Sequence, residues 1–227
     1  LGDVYKRQDL LDAMASIKSF TATIKVVTKS GSTQIGSTST CTCTVQTTSA
    51  NSAPTMTSFS YKDSRSATST LTGNDQLFIQ TYSYLYVTPG VATAKNGASI
   101  VKYAATCNGK TYSNTTGAAL NLYGIAKSGT VDVVVTATDS RGYTVSETQQ
   151  VTVIPYTKPK VSSISLRRTN DIEAEMQLVF DGSISPITVD GTQKNSLLYV
   201  AYRYKLTSED SYGSYTYITR SVTQSGT

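Results

Sequence analysis

The chain has 227 residues, a formal net charge of +5, only 15% charged residues, 16 tyrosines, no tryptophan and no histidine. At about 100–150 residues per domain it is long enough for one to three domains, and its plentiful Ser and Thr suit exposed β-sheet faces better than helix surfaces. The missing histidine excludes Ser-His-Asp and Cys-His nucleophilic sites, His-ligated metals and imidazole acid–base work from this stretch.

Other classes fall on similar grounds. No apolar run approaches the roughly 20 residues of a membrane span. Lys158, Lys160, Arg167 and Arg168 form the densest basic group, but they flank a strand start with no groove motif or basic helix, so they read as a solvated face and no nucleic-acid partner is expected. Residues 1–8, LGDVYKRQ, lack periodicity and resemble a translated sequencing-adapter remnant, so they are set aside as a non-native leader. A start at Leu1 and a stop at Thr227 in mid-pattern lead us to expect an internal fragment, so a missing targeting signal carries no weight.

In chain order, Asp9 to Ala15 is predicted as a short helical turn capped by Asp9. Residues 21–28 alternate with Ala22, Ile24 and Val26 on one face, 29–32 turn, and Ser39, Cys41, Cys43 and Val45 share a face of the return strand. The three cysteines make no disulfide framework. Cys41 and Cys43 lie on one strand face and Cys107 is alone, so all three are expected as buried small apolar residues.

An internal repeat sets the domain plan. The run from Lys18 to Val26 matches Lys127 to Val135 in residue class, and Ala53-Pro54-Thr55-Met56 aligns with Lys158-Pro159-Lys160-Val161. Proline before a first strand stiffens a joint and blocks ladder pairing there. The expected architecture is all-β: tandem immunoglobulin-like, or fibronectin-like, β-sandwich modules. Residues 9–52 are the C-terminal part of one module, 53–156 a complete sandwich, and 157–227 the N-terminal part of a further one, so the first and last are incomplete.

Within 53–156 about seven strands are predicted, the number of an immunoglobulin-like sandwich. They comprise 55–61, a polar stretch ending in Gly73-Asn74-Asp75, a strand from Phe78 to Val87, a hairpin of 100–107 and 110–113 around Asn108-Gly109, and 118–123. The closing hairpin, 131–154, alternates Val131, Val133 and Val135 with polar residues and turns at Asp139-Ser140-Arg141-Gly142. In the last part Ala174, Met176, Leu178 and Phe180 share a face, as do Leu198, Val200, Tyr202 and Tyr204, and a Tyr-rich strand follows at 215–219. Alone, this part would leave apolar strand edges exposed.

Chemistry-bearing residues are sparse. Asp171, Glu173 and Glu175 are the best carboxylate group, but at a period of two they read as solvated strand surface. Cys41-Thr42-Cys43 would make half of a thiolate metal site, but a structural zinc wants four ligands and no second pair exists, so it is not read as one. Asp139 is read as turn chemistry rather than a calcium ligand, and Asn114-Thr115-Thr116 is a glycosylation sequon. No catalytic residue, cofactor or metal is expected. The candidate contact residues are Tyr82, Tyr84 and Tyr86, placed on one strand face opposite Ser83, Leu85 and Val87; such faces either stack on sugar rings or pack as sheet surface.

Phe78 to Thr88, Ala92 to Ile100 and the Asp139-to-Tyr143 turn resemble tail-tip or baseplate proteins of siphoviruses that infect Gram-positive bacteria, a domain family of unknown function with tandem immunoglobulin-like modules. The resemblance covers residues 53–205, with weaker support over 15–48. It implies a non-catalytic virion structural protein that spaces the tail tip and attaches it to the bacterial surface. Its implied partners are other phage tail proteins, a bacterial surface glycan and further copies of itself in the virion, with no membrane partner. The rival readings are a bacterial cell-surface immunoglobulin-like adhesin and the non-catalytic part of a tail-borne glycan hydrolase.

Overall fold

The computed structural model describes residues 4–170, 172 and 175–218. Its first segment holds helix α1 (Val4–Ala13), strands β1 (Ser19–Ser30) and β2 (Thr33–Gln46), and the helical turn α2 (Ser49–Ser52). Asp9 lies inside α1 rather than at its cap. The two strands form the expected antiparallel hairpin, with Ala22 opposite Cys43 and Ile24 opposite Cys41.

No second sheet covers that hairpin among the described residues. Ile24, Val26 and Ile35 are more than half exposed, and Cys41 and Cys43 are exposed too. This corrects the expectation that all three cysteines are buried; it holds for Cys107 alone. The reason is visible in the matching hairpin further on, where the corresponding Val131, Val133 and Val135 are buried under an opposing sheet.

The strands between residues 60 and 154 form that two-sheet unit. The elements of this part of the chain are β3 (Thr55–Met56), β4 (Ser60–Asp63), α3 (Ser66–Thr72), β5 (Leu77–Ile79), β6 (Tyr84–Thr88), β7 (Ala92–Thr93), β8 (Ile100–Cys107), β9 (Lys110–Asn114), β10 (Leu120–Tyr123), β11 (Gly129–Asp139) and β12 (Thr144–Ile154). A three-stranded sheet, β10-β6-β4, faces a five-stranded one, β5-β12-β11-β8-β9. Phe59, Phe78, Leu85, Val87, Leu122, Val133, Val135 and Val153 fill the space between. Each such side chain contributes about 1.5–3 kcal/mol of burial, which is why the period-two alternation of β11 is kept so strictly. All pairs in the larger sheet are antiparallel except β5 with β12, which run parallel from Thr152 opposite Leu77 to Ile154 opposite Ile79.

Asn108 and Gly109 turn the β8–β9 hairpin with φ of 49° and 75°, the paired positive values of a type I′ turn. Three sequence expectations are corrected within this unit. The 55–61 strand is split into β3 and β4. The polar stretch before Gly73 is helix α3, closed by that glycine at φ 68°. The 78–87 strand breaks at Gln80–Ser83, where Thr81 takes φ 64° so that the chain passes from one sheet to the other.

Ser83 fixes that crossing. Its hydroxyl accepts the Ile79 N–H at 2.7 Å and donates to Asp63 at 2.6 Å, both within the interior. A free Thr in the left-handed region costs energy, and these buried hydrogen bonds hold it there.

The last segment forms three two-stranded antiparallel sheets: β13 (Lys160–Arg168) with β14 (Met176–Ser183), β15 (Thr188–Val189) with β16 (Thr192–Gln193), and β17 (Val200–Tyr202) with β18 (Thr216–Ile218). Leu166 pairs with Leu178 and Ile164 with Phe180. Val161, Ile164, Leu166 and Met176 stay more than half exposed. Ala174, Asp171 and Glu173 lie outside the described residues.

Candidate functional site

Two arrangements of side chains go beyond core packing. One is a tyrosine and cation surface on the outer face of β10-β6-β4; the other is a buried arginine where the first segment meets the sandwich.

Pairing in the three-stranded sheet places Lys62 beside Tyr86 and Tyr86 beside Asn121, with Tyr84 beside Tyr123. Because neighbouring residues on a strand point to opposite faces, these side chains share the outer face while Leu85, Val87 and Leu122 enter the core. Tyr84 and Tyr86 sit on β6 as predicted, but Tyr82 lies in the turn before it, since the strand is broken there. All three rings are half-buried.

The rings meet edge to face. Tyr84 and Tyr123 have centroids 5.0 Å apart, Tyr123 and Tyr112 6.5 Å, and Tyr82 and Tyr156 5.1 Å. Arg65 bridges the row, its guanidinium 5.6 Å from the Tyr82 centroid and 5.2 Å from that of Tyr84, while the Lys62 ammonium lies 5.6 Å over Tyr86. These are cation–π distances. Arg65 is further held by donating from Nη1 to the Tyr82 carbonyl at 2.8 Å.

Asp63 explains why Arg65 stands there. This buried carboxylate accepts the backbone N–H groups of Arg65 at 3.0 Å and Tyr84 at 3.1 Å, and the hydroxyls of Thr68 and Ser83 at 2.6 Å each. Four donors satisfy a charge that would otherwise be costly to bury. They also tie the start of α3 to the start of β6, which brings Arg65 against the rings.

Sequence reasoning found Tyr82, Tyr84 and Tyr86 but missed Arg65, Lys62, Tyr112, Tyr123 and Tyr156. Lys62 sits one residue before Asp63 on β4, so period two alone would have put it on the outer face. Arg65 had no such signal, because its position depends on the Asp63 network. Among the described residues no group of His, Cys, Asp and Glu could hold a metal ion.

At the joint, the 139–143 turn clasps the first segment. Arg141 is buried and donates from Nε to the Met14 carbonyl at 2.7 Å, from Nη1 to that of Lys95 at 2.7 Å, and from Nη2 to those of Leu11, at 3.2 Å, and Asn96. Met14 is wholly buried. Ser140 donates to the Ala15 carbonyl, Tyr143 donates from its hydroxyl to the Thr47 carbonyl at 2.9 Å, and Lys18 lies 4.7 Å over the Tyr143 ring.

Asp139 does the turn chemistry expected of it, its Oδ1 accepting the N–H groups of Arg141 at 3.0 Å and Tyr143 at 2.8 Å. Its Oδ2 sits 4.0 Å from Arg141 Nη1, close enough for charge attraction but too far for a hydrogen bond. The guanidinium is therefore aimed at carbonyls of the preceding segment, with the carboxylate beside it balancing its charge. A pocket of about 180 Å³ lies in this joint, lined by Leu10, Leu11, Met14, Val45 and Asn96 among others. Asn114 of the sequon uses its own side chain locally, donating to the Ala118 carbonyl at 2.7 Å and accepting the Gly117 N–H at 2.9 Å.

These features define a β-sandwich protein whose conspicuous polar work is done at a joint and on an aromatic surface. Over residues 6–219 the chain matches a family described as Siphovirus protein of unknown function (DUF859), and it belongs to that family. No curated protein and no solved structure matches it.

Proposed function

We propose that this chain is a non-catalytic structural segment of a siphovirus tail, a string of immunoglobulin-like modules that spaces the tail tip from the rest of the tail and displays it towards the host surface. The module bounds are those read from the repeat, with a complete sandwich over 53–156 and joints beside Pro54 and Pro159. Its partners are the neighbouring tail proteins.

Strand order supports the immunoglobulin-like reading. β4 joins β6 and β10, while β5, beyond helix α3, runs parallel to the final strand β12 in the larger sheet, which β11, β8 and β9 complete. This order is compatible with the two-sheet plan of an immunoglobulin-like sandwich that carries an added helix between β4 and β5.

The observation that carries the spacer reading is the Arg141 joint. A flexible string would leave its links solvated; here a buried guanidinium spends its donors on carbonyls of the segment before the module, so neighbouring units hold a set direction and the string acts as a semi-rigid rod. Electron microscopy of siphovirus virions labelled with an antibody against this chain tests the placement. Label along or at the tip of the tail is expected, and label on the capsid, or none on intact virions, would overturn it.

A further inference from the structure

We propose that the outer face of β10-β6-β4 is a binding surface for an anionic glycan, a polymer of sugar rings bearing phosphate or carboxylate groups. This goes beyond the spacer reading and does not depend on it.

Three observations point to that ligand. First, Tyr84 and Tyr123 stand edge to face on this surface with centroids 5.0 Å apart, and Tyr123 is 51% exposed. Aromatic faces of this kind take the apolar face of a pyranose ring. Second, among the described residues the hydroxyls of Tyr82, Tyr84 and Tyr123 make no hydrogen bond, so they remain available to the hydroxyl groups that a glycan carries in abundance. Third, the charge is of one sign. The outer-face positions of the three strands are Ser60 and Lys62, Tyr84, Tyr86 and Thr88, and Asn121 and Tyr123; they include no carboxylate, and Arg65 joins them from the adjoining loop.

Arg65 is placed for the anion. One end of its guanidinium is fixed on the Tyr82 carbonyl, and the planar group lies against two rings, where its remaining donors can take a phosphate or carboxylate in paired fashion. Interleaved tyrosine and arginine also suits single-stranded nucleic acid. The glycan is favoured here because nucleic-acid affinity rests on a dense line of cations along the phosphate backbone, and this face offers only Lys62, Arg65 and, at its margin, Lys110, which donates to the Tyr123 carbonyl at 3.2 Å.

Affinity electrophoresis of the full chain through gels holding phosphorylated dextran, polygalacturonate, neutral dextran or a single-stranded DNA oligomer tests the proposal. Retardation by either anionic polymer and not by dextran is expected, and which of the two retards more identifies phosphate or carboxylate as the preferred anion. Tyr123→Ala should weaken it about 3–10-fold, and Arg65→Gln should weaken it as well. Lys62→Gln, on an exposed side chain, gives a charge-loss variant that leaves the Asp63 network untouched. Equal retardation by dextran, tighter binding of DNA than of either glycan, no retardation by any polymer, or retardation unchanged in all three folded variants would each overturn the proposal. None of these outcomes bears on where the chain sits in the virion, which the antibody labelling reads separately.

Discussion

Replacing Arg141 by alanine should loosen the joint while leaving the sandwich intact. The guanidinium makes hydrogen bonds to carbonyls on both sides of the joint and stands 4.0 Å from the buried Asp139 carboxylate. A hydrogen bond involving a charged group is worth about 1.5–3 kcal/mol. These bonds act as one unit and do not add, whereas stripping a partner from a buried charge costs about 3–5 kcal/mol; that range is the expected loss. At 1.4 kcal/mol per decade it corresponds to exchange through local opening that is faster by about two to three and a half powers of ten.

Native-state hydrogen exchange on the full chain reads this directly. The Met14 amide, bonded to Leu11 O at 3.1 Å, and the Thr47 amide, bonded to Lys18 O at 2.9 Å, report on the joint, while Val133 and Val135 report on the sandwich core. The joint amides of the variant should accelerate by up to that factor and the core amides by less than about tenfold. Arg141→Lys should restore only part of the protection, because an ammonium lacks the planar fork. Unchanged joint amides would refute the role given to Arg141. Joint and core accelerating together would show instead that it belongs to the folding of the sandwich itself.

The remaining predictions concern the interior. Asp63→Ala would leave two backbone N–H groups and two hydroxyls without their acceptor, at about 1–3 kcal/mol for each buried group left unpaired, so the urea midpoint of the sandwich should fall steeply; a midpoint within error of wild type would refute the network. Gly90→Ala should destabilise by about 3 kcal/mol or more, because the added methyl carbon would sit 1.9 Å from the Thr57 carbonyl oxygen, and a normal melting curve would contradict that close approach. In native chain, a maleimide should label Cys41 and Cys43 quickly and Cys107 only on unfolding. Burial pushes the Cys107 thiol above its ordinary value of 9.0, so the folded chain keeps a proton that the unfolded chain releases. Its contribution to stability is therefore full below about pH 9 and is lost as pH rises through the folded value; Cys107→Ala should flatten the decline in urea midpoint between about pH 8 and 10.

What could be read in the sequence follows what is local. Alternation over Val131–Val135 and the Asn108-Gly109 turn gave their hairpins, because each is decided by side-chain period and by φ at one or two residues. The break at Gln80–Ser83 was hidden, since Phe78 to Val87 is apolar at alternating positions on both sides of it; only the long-range pairing of Ser83 with Asp63 reveals where the chain changes sheets. Helix α3 was missed because Ser66–Thr72 is rich in Ser and Thr, poor helix formers that tertiary contacts override. The tyrosines were legible as an outer face, but Arg65 and Arg141 were not, as each takes its meaning from partners far along the chain. Cys41 and Cys43 misled because alternation says which face is apolar without saying what covers it.

The parallel pairing of β5 with β12 bears on how the sandwich carries load. The chain enters at the pole of the 139–143 turn, where Asn96 meets Asn51 and Arg141, and leaves from the far end of β12. Tension between these two ends would thus run lengthwise down the strands, and the bonds linking β5 to β12 and β4 to β6 would be sheared side by side instead of unzipped singly. Such a module yields only when many bonds fail at once, a mechanical toughness that arises from topology rather than from any individual contact.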